Sequence, residues 1–270
     1  MQSWPDIFQK FKNLSTLIIG DVMVDAYIWG VVERMSPEAP VPLINLRRRD
    51  YRLGGAANVA LNILSMGARP VLCALAGDDE NGKRLAKLMD EKGITKEGIV
   101  TSRSRPTTVK ARVIAAHQQI VRIDDESDAV ATPEEEAELL KRIASLLPSC
   151  QVVIFEDYDK GVITQKLIKE TVRIASAKGI PVVVDPKKRN FLFYENVTLF
   201  KPNLKELREG LKIDLEASDN GSVSEAVDKL KARLGVEGVM LTMSEHGIYI
   251  DFQNHKVKLP AHAREIADVS

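Results

Sequence analysis

Two carboxylates near the N-terminus stand where they could bind a hydroxylated ligand. Asp21 and Asp25 belong to the segment Gly-Asp-Val-Met-Val-Asp at residues 20–25, which directly follows a short apolar run. Ligands of open α/β sheets bind beyond the carboxyl ends of the strands, and carboxylate oxygens placed there could accept hydrogen bonds from sugar hydroxyl groups. The structural alternative is that Asp21 caps a turn and that Asp25 lies in solvent.

A glycine pair, Gly54 and Gly55, indicates a second part of the same site. It begins the segment Gly-Gly-Ala-Ala-Asn-Val-Ala, which precedes a predicted helix. Paired glycines let a ligand approach the backbone closely, and free N–H groups at a helix start attract oxygens. Asn58 adds a side chain that both donates and accepts hydrogen bonds. A plain glycine turn is the alternative for this segment alone, but the two segments together favour a site.

Three cations predict that the ligand carries a phosphate. Lys110 and Arg112 lie two residues apart in an alternating, strand-like segment, so their side chains point to one face, and Arg122 could join them from a partner strand. Arginine forks match phosphate oxygens. The alternative is a solvated basic face. Arg34, in the segment Glu-Arg-Met-Ser-Pro, is a further candidate for the phosphate end.

A second group of polar residues follows two later strand candidates. Lys187 stands after Asp185 and Pro186 and could reach nucleotide phosphates, whereas Asp185 itself is expected to be structural. Asn203 and Glu206 stand just after a strand, in a pattern that also fits a helix N-cap with glutamate at the third position. The ligand-binding and capping interpretations of these two residues can hold together.

The elements that must position these residues alternate between short apolar strands and helices. Continuous apolar strands predict a parallel sheet buried on both faces, and the alternation predicts an α/β fold with a doubly wound, mostly parallel sheet. The predicted strands are 16–19, 71–74, 152–155, 182–184, 199–201 and 239–242. Helices are predicted from the capping box Thr132-Pro133-Glu134-Glu135 onward, over 165–178 and over 224–234.

Two stretches, 27–52 and 106–123, do not follow this alternation. Within the second, 108–114 alternates between polar and apolar residues, and 119–123 can pair with it across 115–118. We therefore predict a small antiparallel β lid that stands off the main sheet. Such a lid alone would expose open strand edges and an apolar face, so we expect a homodimer formed through the lid.

Composition excludes several classes of function. Lys+Arg and Asp+Glu both number 38 in 270 residues, so no excess charge indicates a nucleic-acid or membrane partner. Four scattered histidines exclude a zinc cluster, and Cys73 and Cys150 are expected to be buried free thiols. No apolar stretch approaches the roughly 18 residues of a membrane span, and the N-terminus is not a signal peptide. A cytoplasmic protein is therefore expected.

Taken in order, these segments resemble the ribokinase-like (PfkB) carbohydrate kinase family. That family has a strand ending in Gly-Asp-x-x-x-Asp, a glycine pair shortly followed by Asn, and an Asn-x-x-Glu motif, which correspond here to 20–25, 54–58 and 203–206. The likeness continues through 241–247 and covers essentially the whole chain, so one kinase domain over 1–270 is expected. Residues 33–42 and 118–124 resemble the D-glycero-D-manno-heptose-7-phosphate kinase branch, the kinase domain of bifunctional ADP-heptose synthases.

The resemblance implies phosphoryl transfer from ATP, with Mg²⁺, to O1 of D-glycero-D-manno-heptose 7-phosphate in the synthesis of the lipopolysaccharide heptose precursor. A ribokinase-like kinase for another phosphorylated sugar is the alternative. The implied substrate residues are Asp21, Asp25, Arg34, Gly54, Gly55, Asn58, Lys110, Arg112, Arg122 and Asp157. The implied nucleotide residues are Lys187, Asn203, Glu206, Thr242, Ser244, Glu245 and Gly247. Glu206 is expected to order Mg²⁺ through water, since that ion keeps its hydration shell.

Two features depart from the family pattern. Glu156 stands where the heptose-kinase branch often has serine, and whether it binds metal or points away is open. In the family, a segment like Asp268-Val269-Ser270 is followed by Gly-Ala-Gly-Asp, whose aspartate is the catalytic base. We therefore expect the base just after Ser270. The 270-residue chain is then expected to act as a binding module, which holds sugar phosphate and, weakly, ATP with almost no turnover.

Overall fold

A nine-stranded mixed sheet forms the centre of the protein. The computed structural model describes residues 4–261 apart from residues 117 and 254. The strands of this sheet are β1 (Ser15–Gly20), β4 (Arg69–Gly77), β5 (Ile99–Ser102), β8 (Val152–Glu156), β9 (Val182–Asp185), β10 (Leu199–Phe200), β11 (Gly238–Thr242), β12 (Ile248–Phe252) and β13 (His255–Leu259). Their order is β13-β12-β11-β10-β9-β8-β1-β4-β5. Pairing is parallel from β11 to β5 and antiparallel among β11, β12 and β13.

The predicted fold class is confirmed, because every predicted strand lies in this sheet and the pairs that join those strands are parallel. The sequence analysis did not predict β5 or the hairpin of β12 and β13. The sequence of β12, Ile-Tyr-Ile-Asp-Phe, alternates between half-buried and buried positions. Its aspartate is itself buried at Asp251, so the pattern of apolar and polar residues does not mark the buried face.

A second sheet of four strands stands off the first, and we call it the lid. Its strands are β2 (Val22–Met35), β3 (Pro42–Gly55), β6 (Thr108–Ala115) and β7 (Gln118–Asp125), in the order β3-β2-β6-β7. The predicted hairpin is present as β6 and β7, with Val113 opposite Val121. The lid starts at Val22 rather than at the predicted residue 27, so Asp25 lies inside a lid strand. The parallel pairing of β2 with β6 was not predicted either.

Local side-chain caps explain where five of the seven described helices begin. The helices are α1 (Trp4–Phe11), α2 (Ala56–Ser65), α3 (Glu80–Glu91), α4 (Pro133–Leu146), α5 (Gln165–Ala177), α6 (Leu204–Leu211) and α7 (Asn220–Leu234). The capped ones are α3 to α7. The capping box of α4 forms as predicted, with the Thr132 amide donating to Glu135 Oε2 at 2.9 Å. Helix α7 begins before the predicted residue 224, because Asp219 Oδ1 accepts a hydrogen bond from the Gly221 amide at 2.9 Å. No helix in the described part of the chain has the length and apolar character of a membrane span.

The helices cover the two faces of the large sheet unequally. On one face α4, α5, α6 and α7 pack against the sheet and bury side chains such as Phe155 and Leu241. On the other face α2, α3 and the lid bury Ile18 and Leu72 around β1 and β4. Among the described residues, the rest of that second face carries half-buried apolar side chains: Val183, Leu199, Met240 and Ile250. Among the described residues, the second layer is therefore packed most closely around β1 and β4.

The two cysteines lie in the packed interior. Cys73 and Cys150 are both buried and free, as predicted. Burial raises the pKa of the Cys73 thiol to about 12, so its reactive thiolate form is strongly disfavoured at neutral pH. The cysteines therefore contribute to packing.

Candidate active site

The loop after β8, residues 157–162, is organised around Asp21. This carboxylate is 1% exposed and accepts backbone hydrogen bonds from Tyr158 and Lys160 on Oδ2 at 2.8 and 3.2 Å, and from Val162 on Oδ1 at 3.2 Å. Burial raises the pKa of Asp21 to about 6, although these hydrogen bonds oppose the shift. The geometry matches the turn-capping alternative, and a direct role of Asp21 in sugar binding stays a prediction.

A cavity of about 670 Å³, which we call the lid cavity, opens beside the lid strands. Its wall includes Asp25, Tyr27, Arg52, Asn58, Lys92 and Arg112. Asp25 Oδ1 accepts a hydrogen bond from Arg112 Nη1 at 2.6 Å. The Tyr27 ring lies 4.5 Å from the guanidinium carbon of Arg52 and 5.4 Å from that of Arg112. The structure thus brings the predicted residues Asp25, Asn58 and Arg112 together around a polar cavity.

The glycine pair lets β3 end directly against the strand that carries Asp25. A Cβ atom on Gly54 would lie 2.7 Å from Met23 Cγ and would overlap Asp25 Oδ2. Gly55 has a φ of 57°, in the left-handed region, and a Cβ there would overlap the Asp21 carbonyl oxygen. The Ala56 amide at the start of α2 donates to that carbonyl at 3.0 Å. These glycines therefore set the position of both aspartates.

Each of the three predicted phosphate-binding cations already has a carboxylate partner. Lys110 Nζ lies 3.3 Å from Asp124 Oδ2 and 3.1 Å from Glu126 Oε2. Arg122 Nε lies 2.9 Å from Asp124 Oδ1, and Arg112 pairs with Asp25 as described above. Arg112 and Arg122 stand opposite each other on β6 and β7. The cations do form one cluster, but the sequence analysis missed the two acidic partners that follow Arg122 closely in the chain.

Arg34 lies far from this cluster along the same strand. It is exposed near the end of β2, opposite Leu43 of β3, while Asp25 lies near the other end. The nine intervening steps amount to about 30 Å at roughly 3.3 Å per residue, well beyond the reach of an arginine side chain. The structure does not bring Arg34 to the lid cavity of its own chain, and its role in phosphate binding stays a prediction.

The predicted nucleotide residues lie after β9, at the start of α6, and at and after the end of β11. Asn203 Oδ1 accepts from the Glu206 amide and Glu206 Oε2 accepts from the Asn203 amide, both at 2.8 Å, so the capping box forms. Glu206 Oε1 also accepts from Lys187 Nζ at 2.5 Å. Burial opposes the charge on Lys187, but this hydrogen bond raises the pKa of the lysine. Capping therefore leaves the second carboxylate oxygen of Glu206 to hold Lys187.

A second cavity, of about 590 Å³, opens beside these residues, and we call it the α6 cavity. Its wall includes Asn203, Arg208, Thr242, Ser244, Glu245 and His246. The Thr242 amide donates to the Pro202 carbonyl at 3.0 Å and joins the two strand ends. Gly247 has a φ of 85°, and a Cβ there would overlap the Leu259 carbonyl oxygen. Four of the predicted nucleotide residues thus line the α6 cavity: Asn203, Thr242, Ser244 and Glu245. The other three, Lys187, Glu206 and Gly247, are not part of its wall.

Glu156 lies between the two groups of residues. It ends β8 and stands opposite Gly20 of β1 on one side and Asp185 of β9 on the other. Burial first, and then the nearby Asp185 carboxylate, raise the pKa of Glu156 to about 7. Asp185 Oδ2 itself accepts from Lys201 Nζ at 2.7 Å. At 9% exposure, Glu156 is therefore a buried carboxyl group at a strand end, beside Gly20 on one side and Asp185 on the other.

Asp157 performs a structural task in this arrangement. It is buried, and its Oδ2 accepts hydrogen bonds from Tyr194 Oη at 2.8 Å and Asn190 Nδ2 at 2.9 Å. Its Oδ1 accepts from the Asp159 amide at 2.8 Å. Both oxygens are thus used within the protein, and the predicted contact of Asp157 with substrate stays a prediction.

The carboxylates of the site are suited to a magnesium ion that keeps its water. The described residues include no group of three or more His, Cys, Asp or Glu that could enclose a metal ion. Asp185 and Glu206 are each paired with a lysine. Mg²⁺ usually keeps several waters and takes further ligands from substrate phosphates. These donors therefore fit a Mg²⁺ ion that arrives with ATP and is held through water.

Comparison with known proteins adds sequence and fold relatives. The sequence model described as pfkB family carbohydrate kinase matches residues 14–270. The bifunctional protein HldE of Wolinella succinogenes is 39% identical over 254 residues, which are 94% of this chain and 53% of that protein. HldE of Pelobacter propionicus is 38% identical over 270 residues, which are 100% of this chain and 55% of that protein. The chain thus spans about half the length of these curated relatives.

Solved structures share the fold at low sequence identity. Phosphofructokinase-2 from Escherichia coli in complex with fructose-6-phosphate superposes with a TM-score of 0.72 at 16% identity, covering 94% of this chain and 81% of that one. Arabidopsis thaliana ribokinase complexed with ribose and ATP gives a TM-score of 0.65 at 16% identity, covering 92% and 78%. At these identities the likeness establishes the fold alone.

Proposed function

The chain belongs to the pfkB family of carbohydrate kinases, and from that premise we propose that it transfers the γ-phosphoryl group of ATP to O1 of D-glycero-D-manno-heptose 7-phosphate. The observation that carries the proposal is the pair of cavities, one polar and beside the lid, the other beside a capped helix start. The relatives named HldE support the heptose branch. The proposal places the reaction in the cytoplasm, where ATP is available.

The lid cavity would bind the sugar phosphate. Asp25 keeps one oxygen outside its bond to Arg112, and that oxygen can accept from a sugar hydroxyl, while Asn58 can donate and accept. The phosphate would approach Lys110, Arg112 and Arg122, which their carboxylate partners hold on one face of the lid. A phosphate carries more charge than a single carboxylate and can share these cations through bidentate hydrogen bonds.

The α6 cavity would bind the nucleotide of Mg²⁺·ATP. Lys187 is held by Glu206 and lies near the Glu156 carboxyl group. In this proposal it would meet the phosphates as they approach the sugar. Phosphoryl transfer depends mainly on positioning and on neutralising the charge of the phosphates, which Mg²⁺ supplies when it arrives with ATP. The residues of this chain contribute orientation: the helix cap fixes Asn203 and Glu206, and Gly247 fixes the neighbouring loop.

The catalytic base of this proposal lies outside the described residues. The family resemblance places it just after Ser270, and residues 262–270 are not described. Among the described carboxylates, Asp21 binds three backbone amides and Asp25 binds Arg112. A base typically contributes about 10²–10⁴-fold to the rate.

Two measurements test this assignment. Calorimetry should give tighter binding of heptose 7-phosphate than of unphosphorylated heptose, and equal binding of the two sugars would contradict the sugar-phosphate assignment. In a protein that contains the Gly-Ala-Gly-Asp segment, changing its aspartate to asparagine should slow ADP release strongly. Equal rates of the two proteins would move the base to Asp21, Asp25 or Glu156. Faster turnover of another phosphorylated sugar would favour the alternative kinase.

We further propose that two copies of the chain associate through their lids. Eight apolar side chains of the lid and its connections are between 37% and 55% exposed: Val31, Val32, Met35, Val41, Leu46, Ile120, Val121 and Ile123. β3 and β7 are also edge strands, and pairing between lids would cover both features. Sedimentation at micromolar concentration should give a dimer that Met35→Glu weakens, and a wild-type monomer would refute the proposal.

A further inference from the structure

One buried cation outside the two cavities, Arg105, joins the lid to the loop after β8. It lies on the segment between β5 and β6, where the chain enters the lid, and is 9% exposed. Its guanidinium donates to the carbonyl oxygens of Ser127 at 3.0 Å and Ala129 at 3.3 Å, and also to that of Lys160. Ser127 and Ala129 lie where the chain leaves the lid after β7, so one side chain binds the lid entry, the lid exit and the loop.

Both backbone polar groups of Lys160 are held by buried charged side chains. Its N–H donates to the buried carboxylate of Asp21, and its carbonyl accepts from the guanidinium of Arg105. The backbone at Gly161 packs tightly against the lid exit. A Cβ atom on Gly161 would overlap the carbonyl oxygen of Ala129, and the Ala131 amide donates to the Gly161 carbonyl oxygen at 2.9 Å. The position of the lid exit therefore determines the position of the loop.

The Lys160 side chain carries the same connection onto the lid itself. Its Nζ lies 2.6 Å from Glu126 Oε1, and Glu126 Oε2 lies 3.1 Å from Lys110 Nζ. Lys110 is one of the cations proposed to meet the sugar phosphate. A change in the lid is thus transmitted to the loop through Glu126 as well as through Arg105.

We propose that Arg105 is a positioning residue for sugar-phosphate binding, which makes the lid and the loop 157–162 move as one body. This inference rests on the proposed function, because its effect is seen on that substrate. An arginine suits the task because its planar fork carries five donors, enough for three separate carbonyls, whereas a lysine ammonium has three donors at one point. A lid held in register also keeps water from the transferring phosphate.

The test compares Arg105→Met and Arg105→Lys with Arg103→Met in an assay of heptose 7-phosphate phosphorylation. Arg103 lies on the same segment, but its side chain is 91% exposed, and its Nε lies 3.6 Å from Asp78 Oδ2, a loose surface pair. Loss of charge-assisted bonds to buried carbonyls should raise the KM for sugar phosphate about tenfold or more and leave the KM for ATP nearly unchanged. ATP hydrolysis relative to sugar phosphorylation should rise. Arg105→Lys should recover only part of the loss, and Arg103→Met should behave as wild type.

Hydrogen–deuterium exchange separates this role from general destabilisation. Arg105→Met should speed exchange in the peptides 118–131 and 157–162 together and leave α5 protected. Equal effects on both KM values, or faster exchange throughout the chain, would overturn the proposal, and so would full recovery by lysine. If the wild-type protein phosphorylates no sugar phosphate, the proposed function is wrong. Faster exchange of both peptides in Arg105→Met would still support the connection between lid and loop. Faster exchange in one peptide without the other would refute it.

Discussion

The lid cavity and the α6 cavity are of similar size but are built from different interactions. The lid cavity is bounded by side-chain ion pairs, such as Asp25 with Arg112, between strands that lie far apart in sequence. The α6 cavity is bounded by local features, namely a helix start capped by Asn203 and Glu206 and a loop that contains the left-handed Gly247. Substitutions in the lid cavity should therefore act through charge, whereas the α6 cavity should tolerate most changes of side chain that leave its backbone intact.

The change with the largest expected effect is Arg112→Glu in the lid cavity. It would place a second carboxylate against Asp25 and remove a cation proposed to bind phosphate. Breaking a charge pair of this kind costs on the order of 2–5 kcal/mol, so the dissociation constant for heptose 7-phosphate should rise at least about thirtyfold with ATP binding unchanged. Calorimetry measures both constants. The control Arg47→Glu alters an exposed pair with Glu33 at 3.4 Å, and an equal loss there would contradict the contrast.

The raised pKa of Glu156, at the end of β8, predicts that the stability of the protein depends on pH. This pKa is raised from the ordinary 4.5 to about 7, so protons bind the folded state more tightly than the unfolded one. This stabilisation is complete below pH 4.5 and is lost as the pH rises through about 7, with a total on the order of 3 kcal/mol at most. Urea unfolding of Glu156→Gln should show a flatter decline over that range.

A residual decline near pH 4–6 should remain in Glu156→Gln. It belongs to Asp21, whose pKa is raised from 3.8 to about 6. If the free energy of unfolding of Glu156→Gln falls between pH 6 and 7 as steeply as that of the wild type, Glu156 is exposed to water in solution.

Gly54→Ala tests whether space, as well as charge, matters in the lid cavity. The added methyl group would overlap Asp25 Oδ2 and crowd Met23, so the free energy of unfolding should fall by about 1–3 kcal/mol and sugar-phosphate binding should weaken. Gly221→Ala in α7 is the control, since its nearest atom would be Asp219 Oδ1 at 3.3 Å. Thermal unfolding and calorimetry compare the two. A stable Gly54→Ala protein with normal sugar binding would place Asp25 outside the binding site.

Lys187→Met should produce the smallest effect of the series. It removes one cation on the nucleotide side and leaves Glu206 without its partner, while the capping box with Asn203 remains. Loss of one charged hydrogen bond predicts about a tenfold weaker ATP affinity, with sugar binding unchanged. Lys188→Met alters an exposed neighbour that pairs with Glu209 at 3.3 Å and should bind ATP normally. A larger loss for Lys187→Met than for Arg112→Glu would reverse the comparison.

The sequence predicted the α6 side better than the lid side for a physical reason. Strands, caps and left-handed glycines are local features, and the pattern Asn203-x-x-Glu206 alone specifies both ends of the capping box. The partners of Lys110 and Arg122 depend on the register of β6 with β7, and the location of Arg34 depends on β2 running unbroken from Val22 to Met35. Neither register nor strand length follows from the type of residue.

Pairings between distant strands were also beyond the sequence. Alternation in 108–114 was enough to predict the hairpin of β6 and β7, because the turn between them is short. The parallel contact of β2 with β6 requires knowledge of what lies between them, and Arg105 was not singled out because its three acceptors are backbone carbonyls on other segments. Backbone acceptors leave no mark in the identity of residues.

The parallel contact of β2 with β6 also sets an order in which the chain can fold. The β2–β3 and β6–β7 hairpins are local and can close early, but α2, β4, α3 and β5 separate them along the chain. Pairing β2 with β6 closes a longer loop and therefore loses more chain entropy than closing either hairpin. We therefore expect the contact of β2 with β6 to form last in the lid. In pulse-labelled exchange during refolding, amides between β6 and β7 should gain protection before those between β2 and β6, and simultaneous protection would contradict this order.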